Sequence, residues 1–230
     1  LVTVGAVTMS LLGPANTAVA SENTTEDSSS TQESTQTATE SVDSLAAAVD
    51  AATSPELSTL DVSAIATPSG LTAESGPVET RIPVDATEPV SSTLATSEGE
   101  VEISVGIGDA SDDLSGVLAA DGTVVYLAPG GTSHTVQPTL EGFRIHSVIE
   151  DAGASTEIVH DINLPEGAKL VPAKDMPQTG DAQAAAGAVY VVGADGSTIG
   201  GVHVSLGERR RGKGCRHSIR DRFRKAGAVR

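Results

Sequence analysis

His134, His146, His160 and Asp161 are the residue types that could hold a metal ion. A zinc centre asks for four ligands converging tetrahedrally, usually drawn from closely spaced pairs on one turn. These four are scattered over at least three extended segments at no such spacing. The pattern favours an exposed His146–Asp161 pair and a half-buried His160, so no metal and no cofactor is expected. Gly196-Ser197-Thr198-Ile199-Gly200 places its serine directly after the first glycine, between two extended segments. A nucleophile elbow needs the serine one residue later, on a strand-to-helix turn. Paired carboxylates are abundant, but mostly in an N-terminal region where nothing would fix their separation or shift their pKa. No Gly-rich phosphate loop precedes a helix. No catalytic residue is assigned, and an enzymatic activity is not expected.

The remaining chemistry is that of processing. Residues 1–20 read LVTVGAVTMSLLGPANTAVA. The apolar run is broken by Gly13-Pro14, and Ala18-Val19-Ala20 supplies the A-x-A pattern cleaved before Ser21. This is the layout of a secretory signal peptide whose basic n-region is missing. It implies signal peptidase as a partner during export, and a secreted, extracellular or cell-envelope location. Met176-Pro177-Gln178-Thr179-Gly180 resembles the LPxTG signal by which sortases anchor proteins to cell walls. The apolar stretch Ala182–Val192 and Arg209-Arg210-Arg211 follow it. Met replaces the usual Leu, Asp195 and His203 interrupt the span, and about twenty residues follow the arginines. A linker is the simpler reading, with wall anchoring as the alternative.

The elements that would carry these residues are unevenly distributed. The chain has 230 residues, a formal charge of -17, and only Tyr126, Tyr190, Phe143 and Phe223 as aromatics. Residues 21–97 are rich in Ser, Thr, Glu and Ala, with Arg81 the only basic residue. Such composition predicts a disordered, self-repelling acidic stalk, because too little apolar area is available to offset the ordering entropy. Within it, 41–52 could form a short helix with Val42, Leu45 and Val49 on one face. No run of about 18 apolar residues occurs, so no membrane span is expected in the mature chain.

From about residue 98 the pattern becomes that of strands. Val101, Ile103, Val105 and Ile107 alternate with polar or small residues. Turns at Asp121-Gly122 and Gly130-Gly131 precede extended segments 123–127 and 133–137. Further segments fall at 143–150, 157–164, 169–171, 188–192 and 197–201. The expected class is therefore mostly disordered plus all-β, with a small, incomplete antiparallel meander or sandwich over about 98–201. If 143–150 and 157–164 form a hairpin, burial favours Phe143 opposite Leu164, Ile145 opposite Ile162 and Ile149 opposite Ile158. That register sets His146 opposite Asp161 on the outer face.

The final segment breaks the trend. Ten of the 14 basic residues lie in 209–230, together with the sole cysteine, Cys215. Read as it stands, 202–230 is a disordered basic tail that binds polyanions such as cell-envelope polymers. One aromatic, Phe223, gives no base-stacking platform, and the acidic remainder repels phosphate, so specific nucleic-acid binding is not expected.

ADGTVVY (120–126), LPEGAKLV (164–171) and VYVVGADGSTIGG (189–201) resemble segments of a group of uncharacterised secreted proteins of actinobacteria. The resemblance covers residues from about 100 to 201. It implies that the chain should continue after Gly201 with a pattern like F-x-x-P-W-A and a further Trp-containing region. Displacing the codons of 202–222 by one base allows this. Val202-His203 then permits Phe, Ser205-Leu206 Pro, Leu206-Gly207 Trp, and Ile219-Arg220 Tyr. The tail is accordingly expected to be out of frame from the Gly200-Gly201 codons.

Overall fold

The computed structural model describes residues 3–11, 32–53, 55–96, 99–108, 114–128, 131–149, 157–176, 188–206 and 216–221. The fold is mostly β. In chain order the elements are β1 (Thr3–Leu11), α1 (Gln32–Ala52), α2 (Pro55–Ser58), β2 (Ile65–Thr67), β3 (Gly70–Ser75), β4 (Val78–Ile82), β5 (Val90–Thr96), β6 (Gly99–Val105) and β7 (Gly116–Leu118). They continue with β8 (Val124–Tyr126), β9 (Thr132–Thr139), β10 (Gly142–Ile149), β11 (Glu157–Asn163), β12 (Lys169–Pro172), β13 (Ala188–Val192), β14 (Thr198–Leu206) and β15 (Arg216–Asp221). One sheet runs β12-β13-β14-β1-β10-β9-β8-β7 and the other β15-β11-β6-β5-β4-β3-β2. All pairings are antiparallel except β11 with β15, which is parallel.

The two sheets face each other across a common core. Leu71, Val78, Ile82, Val90, Leu94, Ile103, Val105 and Ile162 come from one sheet; Val124, Tyr126, Val136, Phe143, Ile145, Val191 and Val202 come from the other. Period-2 alternation produces this directly. In β4, Val78, Thr80 and Ile82 are buried while Glu79 and Arg81 are exposed. A second, smaller core lies on the outer face of the first sheet, where Val42 and Ala46 of α1 meet Ala119 and Val125. Successive residues of β8 and β10 therefore feed different cores, and every residue of both strands is buried. The stripe Val42, Ala46 and Val49 has the four- and three-residue steps of a helix with one apolar face.

Expected strands recur at 99–105, 124–126, 132–139, 142–149, 157–163, 169–172, 188–192 and 198–206. Two expectations change. The β region reaches back to Ile65, through a stretch read from composition as stalk. Composition underestimates its packing because core positions are filled by hydroxyls that satisfy one another: Thr80 Oγ1 lies 2.8 Å from Ser92 Oγ and donates to the Gly142 carbonyl at 3.1 Å. The expected 143–164 hairpin does not form. β10 pairs with β9 and β1, placing Phe143 opposite Pro138 and His146 opposite Thr135, while β11 lies in the other sheet beside β6. Thr198–Leu206 and Arg216–Asp221 are strands, and the rest of 202–230 lies outside the described residues.

The Asp121-Gly122 turn shows why its glycine is needed. Gly122 has φ +87°, and a Cβ there would lie 2.4 Å from the Ser63 Cα. The Ala64 N–H donates to the Gly122 carbonyl at 2.9 Å, so the backbone before β2 is laid directly against this turn.

Candidate functional site

Two polar clusters are built into the interior. The first lies between the sheets. On β9, His134 shares the inward face with Val136; on β11, His160 shares it with Ile158 and Ile162. His134 and His160 are 2% and 1% exposed. They converge on Gly108, whose φ is +71°; a Cβ there would lie 3.2 Å from His134 Cε1 and 3.5 Å from His160 Cε1. His160 Nδ1 donates to the Gly106 carbonyl at 2.9 Å, which places its proton on Nδ1. His134 Nδ1 lies 3.0 Å from Ser147 Oγ, directly opposite on β10. Burial, with His160 adding to it, lowers the His134 pKa to about 4. The ring is neutral at pH 7.

The His134–Ser147 distance is that of a base and its nucleophile. Ser147 is 1% exposed and the contact faces the packed interlayer. Its role there is mutual satisfaction of two buried polar groups.

The second cluster lies on the other face of β10, under α1. Arg144 is 1% exposed. Its guanidinium forms an ion pair with Asp61 and donates through Nη1 to the Leu57 carbonyl at 2.8 Å. Its Nε is buried with no hydrogen-bond partner among the described residues. Beside it, His146 Nδ1 lies 3.4 Å from Thr135 Oγ1. Burial, then the Arg144 charge, lowers the His146 pKa to about 4. Burial raises the Asp61 carboxyl above the ordinary carboxylate range, more than Arg144 lowers it; Asp50 and Asp121 also raise it. Gln137 bonds Thr123 and donates to the Val62 carbonyl at 2.9 Å. These groups border a small recess lined on the α1 side by Ala46, Val49 and Asp50.

Neither cluster has the ligand set of a metal centre. Among the described residues no three His, Cys, Asp or Glu side chains come together. His146 and Asp161 lie in different sheets. The expected exposed His146–Asp161 pair is therefore replaced by a buried His146 beside Arg144, and His160 is fully rather than half buried. The structure does bring together His134 and His160, which sequence spacing did not single out as a pair. Arg144 and Asp61 also escaped the sequence reading. A signal existed: the apolar stripe on α1 needs a surface to cover, and the polar face of FRIHSVI is the surface it helps cover.

Ala18, Ala20 and Ser21 lie outside the described residues, as do Pro177, Gln178, Thr179 and Gly180. Met176 is half-buried, its N–H donating to the Ala173 carbonyl at 3.3 Å after a single 3-10 turn. The expected leader contributes Thr3–Leu11 as β1, in the interior of the first sheet. No helix among the described residues is long and apolar enough to cross a membrane.

Neither a family model, nor a curated protein, nor a solved structure matches the chain.

Proposed function

We propose that the chain is an exported protein of the cell surface or extracellular space, and that its buried polar clusters are structural rather than catalytic. The observation that carries this reading is the apolar N-terminal segment ending in Ala18-Val19-Ala20 before Ser21 and an acidic Ser/Thr-rich stretch. Two features support the second half. The His134–Ser147 contact is enclosed between the sheets, and the Arg144–Asp61 pair ties elements together. The natural substrate of such groups is the fold itself.

The test is expression of the gene in a Gram-positive secreting host, followed by fractionation and N-terminal sequencing. Export with cleavage yields protein outside the membrane beginning at Ser21. Retention inside the cell with Leu1 intact would overturn the reading.

A further inference from the structure

The outer face of the first sheet carries a row of three buried polar side chains. The β8–β9 register sets Val124 opposite Val136, so Thr123 falls opposite Gln137. The β9–β10 register sets Gln137 opposite Arg144. All three are more than nine-tenths buried. Together with His146 they border the recess under α1.

Thr123 donates its hydroxyl to Oε1 of Gln137. Gln137 Nε2 donates to the Val62 carbonyl at 2.9 Å and to the Pro138 carbonyl at 3.1 Å, which fixes the amide with Oε1 toward Thr123. A hydroxyl oxygen in contact with Oε1 is one bond away from Cδ, the carbon that a nucleophile attacks. Two further groups of the recess match the needs of that attack. Negative charge would develop on Oε1, and Arg144 holds a buried Nε–H with no hydrogen-bond partner among the described residues. The hydroxyl proton must leave, and the His146 ring is buried and neutral at pH 7, so it has a nitrogen able to accept it.

We propose that Thr123 and Gln137 join in an intramolecular ester, formed once by the folded chain with release of ammonia. Oγ1 of Thr123 bonds to Cδ of Gln137, and the Cδ–Nε2 bond breaks. The Thr123 hydroxyl proton passes by way of His146 to Nε2, which leaves as ammonia. The balance needs no other reactant. Burial of both partners shields the product from hydrolysis. The bond goes beyond the structural reading of this cluster by making it covalent: it pins the entry of β8 to β9 beneath α1. It does not depend on export.

The test is the mass of one peptide from the folded full chain. Trypsin cuts after Arg81 and Arg144, and the peptide 82–144 between them holds both residues. Gln137 is its only Gln and it contains no Asn, so ammonia lost there comes from Gln137. Pro138 has no N–H, which closes the route through a backbone imide. The peptide is expected to be lighter than its sequence by about 17 Da, one ammonia. Chymotryptic cutting after Tyr126 should leave the two halves joined until hydroxylamine cleaves the ester. Thr123→Ser should keep the loss, and Thr123→Val should abolish it. A peptide of full mass from the folded unaltered chain overturns the proposal, whether or not either variant folds. So does a loss of ammonia that survives Thr123→Val, or a pair of halves that separates without hydroxylamine.

Discussion

Replacing Asp61 by Asn should cost more stability than replacing Arg144 by Met, and the two changes together should cost little more than Arg144→Met alone. Arg144 has 2% of its side chain exposed and Asp61 24%. Asp61→Asn keeps the shape of the acid but leaves a buried guanidinium whose only remaining bond among the described residues is to the Leu57 carbonyl. Breaking a fully buried pair from one side costs roughly 3–5 kcal/mol. Water can reach Asp61's position and restore part of that, which brings the expected loss to about 2.5 kcal/mol. Arg144→Met removes the buried charge and its unbonded Nε together, and leaves Asp61 partly hydrated. That loss should be about 1 kcal/mol. Independent effects would sum to about 3.5 kcal/mol in the double variant; coupled ones should leave it near 1. Urea unfolding at pH 7, followed by far-ultraviolet circular dichroism, measures all four corners of the cycle. Additivity within about 0.5 kcal/mol would refute the claim that Arg144 is held in the interior by Asp61.

His134 and His146 have folded pKa values near 4 against an ordinary 6.5, so the folded state keeps them neutral while the unfolded state takes up protons below that ordinary value. Their stabilisation is complete above pH 6.5 and is lost as pH falls toward 4. At pH 5 each should have lost about 2 kcal/mol, seen as a falling urea midpoint between pH 7.5 and 5. The raised Asp61 acts oppositely, within the carboxylate range. A midpoint that does not move would contradict the burial of both rings. Gly108→Ala should destabilise by about 2 kcal/mol, since φ is +71° and the new Cβ would meet Ile158 Cγ2 at 2.9 Å. An unchanged thermal midpoint would show that the seam between the sheets is looser than drawn. Thr80→Val alone should cost about 1–2 kcal/mol by leaving the Ser92 hydroxyl buried without its 2.8 Å partner, whereas Thr80→Val with Ser92→Ala should be close to neutral. A double variant as damaged as the single would show that Ser92 gains nothing from that bond.

Strand positions from Gly99 onward were legible because Val101 to Ile107, FRIHSVI and EIVHDIN alternate, and because Asp121-Gly122 and Asp195-Gly196 punctuate them. The helical stripe at Val42 and Val49 was legible for the same reason. Pairing was not. Nearest-neighbour hairpin logic joins β10 to β11, and the apolar register it predicts is internally consistent, yet β10 finds both partners elsewhere. Periodicity reports which face is buried, and it is silent on which strand lies alongside. The polar face of β10 misled in a second way. His146 was expected to face solvent, but α1 covers that face and the second sheet covers the other. Residues 65–96 were missed because a core of isolated Val, Leu and Ile separated by Thr and Ser has the composition of a stalk and the spacing of a sheet. The histidine meeting at Gly108 joins opposite sheets, a fact of topology that no local spacing encodes.

The run from Leu57 to Ala64 acts as a strap laid over the ends of β8, β9 and β10. Leu57 receives Arg144, Leu60 receives the Leu140 N–H, and the Val62 N–H donates to Pro138. Ser63 donates to the Asp121 carbonyl. Its side-chain bonds span 58 to 87 residues of sequence, so closing them means closing loops of that length. Loop closure of this kind comes before the contact rewards it, and high contact order slows folding. A ribosome delivers the strap long before the strands that latch it. Throughout that interval α1 and the strap lack the surface they cover. A fold whose fasteners lie so far downstream stays unfastened for as long as synthesis of the intervening chain lasts.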